Sequence, residues 1–351
     1  MLFYFGLPAQ QLAAANHQTL ATVAADILRA RREGSHLVII PRATASWLRD
    51  NLQLGERDRA MLERLIQEYA QTAGLRQAAQ VYVNVVADPS ENFSISENAI
   101  NVSLTHLAHC NILQRPVLLV ENLQSDGRLY EFLLTGHCKK MGCIVAFDVA
   151  HGGGADLPMV FEHQIDQQRI VIGITDSDNN APDHGSSKLQ SLTALALGKS
   201  WPLAFAASPP CREGENLIPL EVLLSFPCAH RHRTNSMLLR IAAEEIKNRH
   251  PTNQQYWLFF DSKEGLSTDR FQRLSPAEQG WITSKTALAN FDPSDSDIEG
   301  YGNRITNQLF NDNRLQSDFM RISKQPVWQS IFSTFIETLV WPAAASTKVY
   351  T

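Results

Sequence analysis

Three carboxylates are placed where a parallel sheet would gather them. Glu121 directly follows the apolar run Val117-Leu118-Leu119-Val120, and Asp176 and Asp178 follow Ile170 to Ile174 after a single threonine. In an open parallel sheet, ligands collect beyond the carboxyl ends of the strands, where loops are free to present side chains. If the two strands are neighbours, the three carboxylates converge. Left alone they would repel one another, whereas Mg2+ or Mn2+ prefers hard oxygen ligands and keeps several waters, so two or three carboxylates plus substrate phosphates make a sufficient site. Such an ion can generate a hydroxide nucleophile, orient a phosphate and stabilise the leaving oxygen. Taken singly, each acid has a plainer reading, Glu121 as an acid at a helix start and Asp176-Ser177-Asp178 as a polar turn. The ordered pair, each member at a strand end with one further strand and its helices between, is what points to metal.

The elements that must position these groups are legible as an alternation. Val117 to Val120 reads as a short buried strand, followed by a helix from about Ser125 to Lys140. Cys143 to Phe147 reads as the next strand, then come the glycines 152–154, a helix near Asp156 to Ile165, the strand Ile170 to Ile174, a further helix, and the apolar run Pro202 to Ala207. Strand and helix in strict alternation predict a parallel sheet covered by helices.

Flanking units are expected on both sides, giving three regions at 1–112, 113–210 and 211–351. The first alternates strands (Leu2 to Phe5, Leu37 to Ile40, Val81 to Val86) with helical stretches near 8–33 and 57–73, and within Asp58 to Tyr69 one side carries Met61, Leu62 and Leu65. The last is mainly helical, with one expected strand at Tyr256 to Phe260. Ser275-Pro276-Ala277-Glu278 has the residue types of a capped helix start, and Val327, Ile331, Phe335 and Leu339 recur at helical spacing. The fold class expected is therefore α/β, a central parallel sheet between an N-terminal α/β unit and a helical C-terminal region.

Composition narrows the functional classes. The chain has 351 residues, 44% hydrophobic and 19% charged, with no run approaching the roughly 20 apolar residues of a membrane span. No secretory signal is expected, because Met-Leu-Phe-Tyr-Phe lacks a preceding basic stretch and Gln10 and Gln11 interrupt the apolar pattern. Five cysteines without a CxxC pair fit reduced thiols and a cytoplasmic setting. A net charge of −5 excludes attraction of nucleic acid by the molecule as a whole, so a polyanion would have to meet a local basic face.

Other motifs carry less. His151-Gly152-Gly153-Gly154 is not followed by the Gly-Lys-Ser/Thr of a phosphate-binding loop and reads mainly as architecture. Cys228-Ala229-His230-Arg231-His232-Arg233 lacks the second cluster a closed zinc site needs and reads as a basic loop, which with Arg29, Arg31 and Arg32 is a candidate nucleic-acid face. Asp292 to Glu299 has no mid-loop glycine where a calcium loop requires one and reads as an acidic surface loop. Ser186 and Ser191 sit in no nucleophile elbow, so serine hydrolase chemistry is not expected.

From Val117 to about Ala207, roughly a quarter of the chain, the sequence resembles the Toprim domain of topoisomerases, DnaG-type primases, RecR and the OLD-family nucleases. VLLVENLQSDGRLYEFLL supplies a first strand ending in glutamate, and IVIGITDSDNN a later strand ending in Asp-x-Asp. OLD-like and PARIS-type members usually have glycine after the glutamate and an aspartate opening the next helix. Here Asn122 stands in place of the glycine, and Asp126 lies one residue beyond the commonest spacing. CREGENLIP, with Glu213 and Glu215, resembles the acidic segment that supplies a further metal ligand, and WLFFDSKEGL, with Lys263, resembles the late lysine near the scissile phosphate. The resemblance implies a Mg2+- or Mn2+-dependent nuclease of DNA or RNA in prokaryotic anti-phage defence. Glu121, Asp176 and Asp178 would bind metal, with Asp126, Glu213 and Glu215 as further ligands and Lys263 as a catalytic cation. A partner ATPase of the ABC or SMC type, and an oligomer, are compatible with it. Two alternatives stay open: a non-catalytic nucleic-acid-binding or assembly module working with such an ATPase, and a magnesium enzyme of phosphorylated small molecules with a closed pocket.

Overall fold

Short apolar runs separated by amphipathic helices condense into two sheets. In the computed structural model, which describes residues 1–87, 92–182, 185–226 and 232–349, the first sheet comprises β1 (Leu2–Tyr4), β2 (Leu37–Ile39), β3 (Tyr82–Val86), β4 (Phe93–Ser96) and β5 (Ala99–Ser103), in the order β2-β1-β3-β5-β4. Its pairs are parallel except β4 with β5. The three strands expected from sequence are present, and the β4–β5 hairpin adds two. Helix His17–Glu33 starts where the Asn16 side chain accepts the N–H groups of Gln18 and Thr19, and stops at Gly34 in the left-handed region (φ 69°). Helix Glu56–Thr72 buries Met61, Leu62 and Leu65, the side the sequence pattern selects.

The second sheet positions the carboxylates. It contains β6 (Val117–Val120), β8 (Asp148–His151), β9 (Val171–Ile174) and β10 (Ala204–Ala207), all parallel, in the order β10-β9-β6-β8. One expected strand is displaced. Cys143 to Phe147 does not enter this sheet; instead β7 (Ile144–Val145) pairs antiparallel with β13 (Ala344–Ala345) near the end of the chain. The sheet strand is the more polar Asp-Val-Ala-His of β8, which lies at an edge and is not required to be apolar on both faces.

Alternation along the strands divides the interior in two. Val117 and Leu119 of β6 join a core with β1's Phe3, with Leu157 and Phe161 of helix Leu157–Asp166, and with Leu192 of helix Ser187–Gly198. Leu118 and Val120 face the other way, into a core shared with β1's Leu2, with Leu129 and Leu133 of helix Arg128–Lys140, and with Phe332 and Leu339. Both sheets therefore contribute to both cores. Gly152 is where the chain needs glycine: a β-carbon there would lie 2.7 Å from the Leu157 side chain, and Gly153 and Gly154 follow at φ 66° and 61°.

The C-terminal region is helical, as the sequence indicates. Helix Pro276–Thr286 begins with the reciprocal cap of Ser275 and Glu278. Helix Pro326–Ala343 buries Ile331, Phe335 and Leu339 but leaves Val327 exposed. Tyr256 to Phe260 is not a strand: Tyr256–Leu258 is a 3-10 turn whose first N–H is taken by Glu245, with Phe259 and Tyr256 packed on Trp281. A run buried on every side by helices satisfies its backbone locally and finds no strand partner. The region's strands among the described residues are β11 (Gly265–Leu266), β12 (Ile298–Glu299) and β13. Beyond β13 the chain returns to the first unit, where Ser346 N–H donates to His36 O and Val349 N–H to Arg32 O. Among the described residues no helix is long and apolar enough to cross a membrane.

Candidate metal centre

The register of β6 on β9 pairs Leu118 with Ile172 and Leu119 with Gly173, so the two strands end side by side. Glu121 is the first residue past β6, and Asp176 the second past β9. They meet directly: Asp176 N–H donates to Glu121 Oε1 at 3.2 Å. The Asp-Ser-Asp turn is pinned from below by the segment Cys211–Arg212. Ser177 and Asp178 both give their N–H groups to Arg212 O, and Arg212 Nη1 returns bonds to Asp178 O (3.1 Å) and Asn180 Oδ1 (2.6 Å). Asp178 sits at φ 56°, a conformation that Asp tolerates better than most residues.

Four other residues singled out in the sequence reach the same neighbourhood. Asp126 is buried in a π-helical turn, Leu123–Gly127, capped by the Asn122 side chain; Asp126 Oδ2 accepts Asn122 N–H at 2.9 Å and Oδ1 accepts the Ser125 hydroxyl at 2.7 Å. Asn122 itself has φ −128°, extended backbone open to any residue, so the turn does not require glycine there. Glu213 and Glu215 flank Gly214, whose N–H donates to Asp176 Oδ1 at 3.0 Å. Lys263 spans the two glutamates, with Nζ 3.3 Å from Glu213 Oε2 and 3.0 Å from Glu215 Oε2. Its backbone is fixed by Asp261, whose Oδ1 accepts the N–H of Lys263 and of Glu264 while Oδ2 holds Arg270 at 2.7 Å.

Two contributors are absent from the sequence reading. Lys188 places Nζ 2.9 and 3.0 Å from the two oxygens of Glu121 and 2.9 Å from Asp178 Oδ2. A signal existed: Ser186 caps helix Ser187–Gly198, which puts a lysine in the first turn, against the helix dipole. Tyr130 is fully buried, and its hydroxyl has no hydrogen-bond partner. Only its place on the inward face of Arg128–Lys140 could have drawn attention to it.

Charge is out of balance in this cluster. Burial, then the negative charge of Asp126, push the Asp176 carboxyl up to about 7, with Lys263 opposing and Glu121 and Glu213 adding to the rise. Burial likewise raises Glu213, with Glu215 adding to it, and raises Glu215, with Lys263 opposing and Asp126 and Asp176 adding. The Tyr130 hydroxyl is pushed well up by burial and then by Asp176 and Asp126. Glu213 Oε1 is buried without a hydrogen-bond partner.

The donor chemistry suits a hard divalent cation, being a set of carboxylate oxygens, crowded and under-neutralised, with an orphaned buried oxygen among them. The side chains are not closed around an ion. Among the described residues no group of three or more His, Cys, Asp or Glu is arranged to hold one, and Lys188 and Lys263 take up the carboxylate oxygens instead.

Of the three arginines expected to add to a basic face, one is exposed and two are not. Arg31 is buried on Glu68 and Thr347 O, and Arg32 is paired with Asp58, because both lie where their helix packs on the rest of the unit; Arg29 is exposed but paired with Asp26. Of the Cys228–Arg233 loop, residues 228–231 lie outside the described residues, and Arg233 stacks over Phe291. Two cavities, of about 720 and 770 Å3, are lined elsewhere, one around Arg29, Arg115 and Arg169, the other around Phe93, Trp201 and Phe205. Neither contains the carboxylates. Comparison with known proteins returns no match: no family model fits the chain, and no curated protein or solved structure is significantly similar to it.

Proposed function

We propose that the chain is a Toprim-like nuclease that hydrolyses phosphodiester bonds of DNA or RNA with Mg2+ or Mn2+. The observation that carries this reading is the meeting of Glu121 and Asp176 across the ends of adjoining parallel strands, with Asp178, Asp126, Glu213 and Glu215 gathered around them. When bound, the divalent ion would supply an activated water and polarise the phosphate. Glu121, Asp176 and Asp178 are the ligands proposed to hold it, with Asp126, Glu213 and Glu215 behind them. Glu121, the carboxylate at the strand end, is the proposed proton carrier. Lys263, held by the two glutamates, is the cation proposed to steady charge developing on the phosphate. A role as a cytoplasmic effector in prokaryotic anti-phage defence, with an ABC- or SMC-type ATPase as partner, extends the same reading.

The test is metal-dependent cleavage. With millimolar-range Mn2+ or Mg2+, wild type is expected to cut plasmid DNA or structured RNA, and Glu121→Ala and Asp176→Asn to lose activity by on the order of 100-fold or more. No cleavage of either substrate with either metal, and variants indistinguishable from wild type, would sink the proposal.

One observation favours a second reading, a non-catalytic binding module. Lys188 and Lys263 each bridge two carboxylates, as in a structural ion-pair network. On this reading nucleic acid is bound without cleavage, and Glu121→Ala leaves binding unchanged.

A further inference from the structure

Lys188 and Lys263 both sit between carboxylates, yet they are held very differently. Lys263 joins two buried glutamates, and its backbone is fixed by Asp261. Lys188 has a side chain 41% exposed and bridges Glu121 to Asp178, itself 58% exposed. Its position in the first turn of helix Ser187–Gly198 is electrostatically unfavourable, so the contacts with Glu121 and Asp178 offset a cost that the helix alone imposes. A long, half-exposed lysine stem can swing away from its partners; a clamped one cannot.

We propose that Lys188 is an internal cation of the acidic site, which a divalent ion displaces on binding, so that this lysine sets the metal affinity. The inference rests on reading the carboxylates as a cation site, and a buried group aimed into the cluster supports that independently of its acidity. The Tyr130 hydroxyl lies beside Gly214, between Glu213 and Glu215, and lacks a hydrogen-bond partner, and Tyr130 is more than nine-tenths buried. Unpartnered buried polar atoms mark a missing ligand or water. Glu121 and Asp178 are at once the oxygens a divalent ion would use and the oxygens Lys188 uses. Occupancy by one excludes the other.

Titration of the full chain with Mn2+, followed by the electron paramagnetic resonance signal of the free ion, tests this directly. Lys188→Met is expected to bind Mn2+ roughly tenfold more tightly than wild type, the worth of two half-exposed ion pairs. Lys188→Arg, which keeps the positive charge, is expected to stay at or below wild-type affinity. Circular dichroism of each variant establishes folding, and Lys188→Gln stands in should the methionine variant not fold. In wild type, Mg2+ is also expected to raise the rate at which the Lys188 amine is acylated, read by mass spectrometry. If wild type binds Mn2+ and neutral substitution leaves affinity unchanged or weaker, the displacement idea is overturned while the metal-site reading stands. If neither wild type nor the variants bind Mn2+, both fall together.

Discussion

Asp176 is the residue on which the site's electrostatics turn. Its folded-state carboxyl is raised to about 7, by burial and by Asp126, from an ordinary value of 3.8. A raised carboxyl contributes stability that is complete below the ordinary value and is lost as pH rises through the folded one. Glu213 and Glu215 shift in the same direction. The buried N-terminus and His36 are shifted the other way, so the contribution of Asp176 is read against a neutral variant: between about pH 6 and about pH 8 the metal-free wild type is expected to lose more stability than Asp176→Asn, and added Mn2+ to restore more stability to wild type at the higher pH. Scanning calorimetry of both proteins at the two pH values checks it; a variant whose melting temperature shifts with pH just as the wild type's does contradicts the account. At this scale the sequence was informative about the acids and about one of their counter-ions, Lys263, and silent about the other, Lys188. Glu121, Asp176 and Asp178 announce themselves by following apolar runs. Lys188 is found 67 positions from Glu121, and nothing in its neighbours says which carboxylates it will reach. Arg31 and Arg32 mislead in the opposite sense, since a cluster of arginines in a helix does not reveal which of them face the core.

Among elements, the tightest constraint lies where helices cover β9. A β-carbon at Gly173 would stand 2.9 Å from Phe161 and 3.0 Å from Leu192. Gly173→Val is expected to destabilise by about 1–3 kcal/mol through overpacking and to push the two helices off the strand that carries Asp176. Denaturant unfolding measures the loss, and wild-type stability would show that the helices have room to yield. In the C-terminal region Lys285 joins Glu245 at 2.6 Å, both buried, with Gln254 O at 2.7 Å and Tyr256 N–H on the same glutamate. Lys285→Met strands the Glu245 charge and is expected to cost about 3–5 kcal/mol in the same assay, whereas an unchanged midpoint would mean that Glu245 simply protonates. Elements with a strong local signature were legible, such as the Ser275 cap and the apolar side of Glu56–Thr72. The two misreadings share a cause. Tyr256 to Phe260 is buried among helices, whereas Cys143 to Phe147 leaves Ile144 exposed and pairs with a distant tail, and a short apolar run does not say whether its partner is a sheet strand, a helix or such a tail.

For the molecule as a whole, the three regions expected from sequence share their interiors. Each face of the second sheet is covered from outside 113–210: Val117 and Leu119 share a core with Phe3 and Val83, Leu118 and Val120 one with Phe332 and Leu339. A fragment spanning 113–210 is therefore expected not to fold by itself, and its amide NMR spectrum should show the narrow dispersion of an unfolded chain; a well-dispersed spectrum would count against this. Sequence alternation revealed the sheet but not its covering, because which helix lands on which face is set by contacts far apart along the chain. The strip that pairs β13 with β7 and then bonds to His36 and Arg32 carries this to its limit. Closing loops of such length is entropically slow and cannot be rewarded until late. During synthesis the sheet bearing the carboxylates emerges well before the segment that fastens its surroundings. The nascent chain must therefore wait, with apolar surface open, and is expected to depend on chaperones over that interval more than its native stability would suggest.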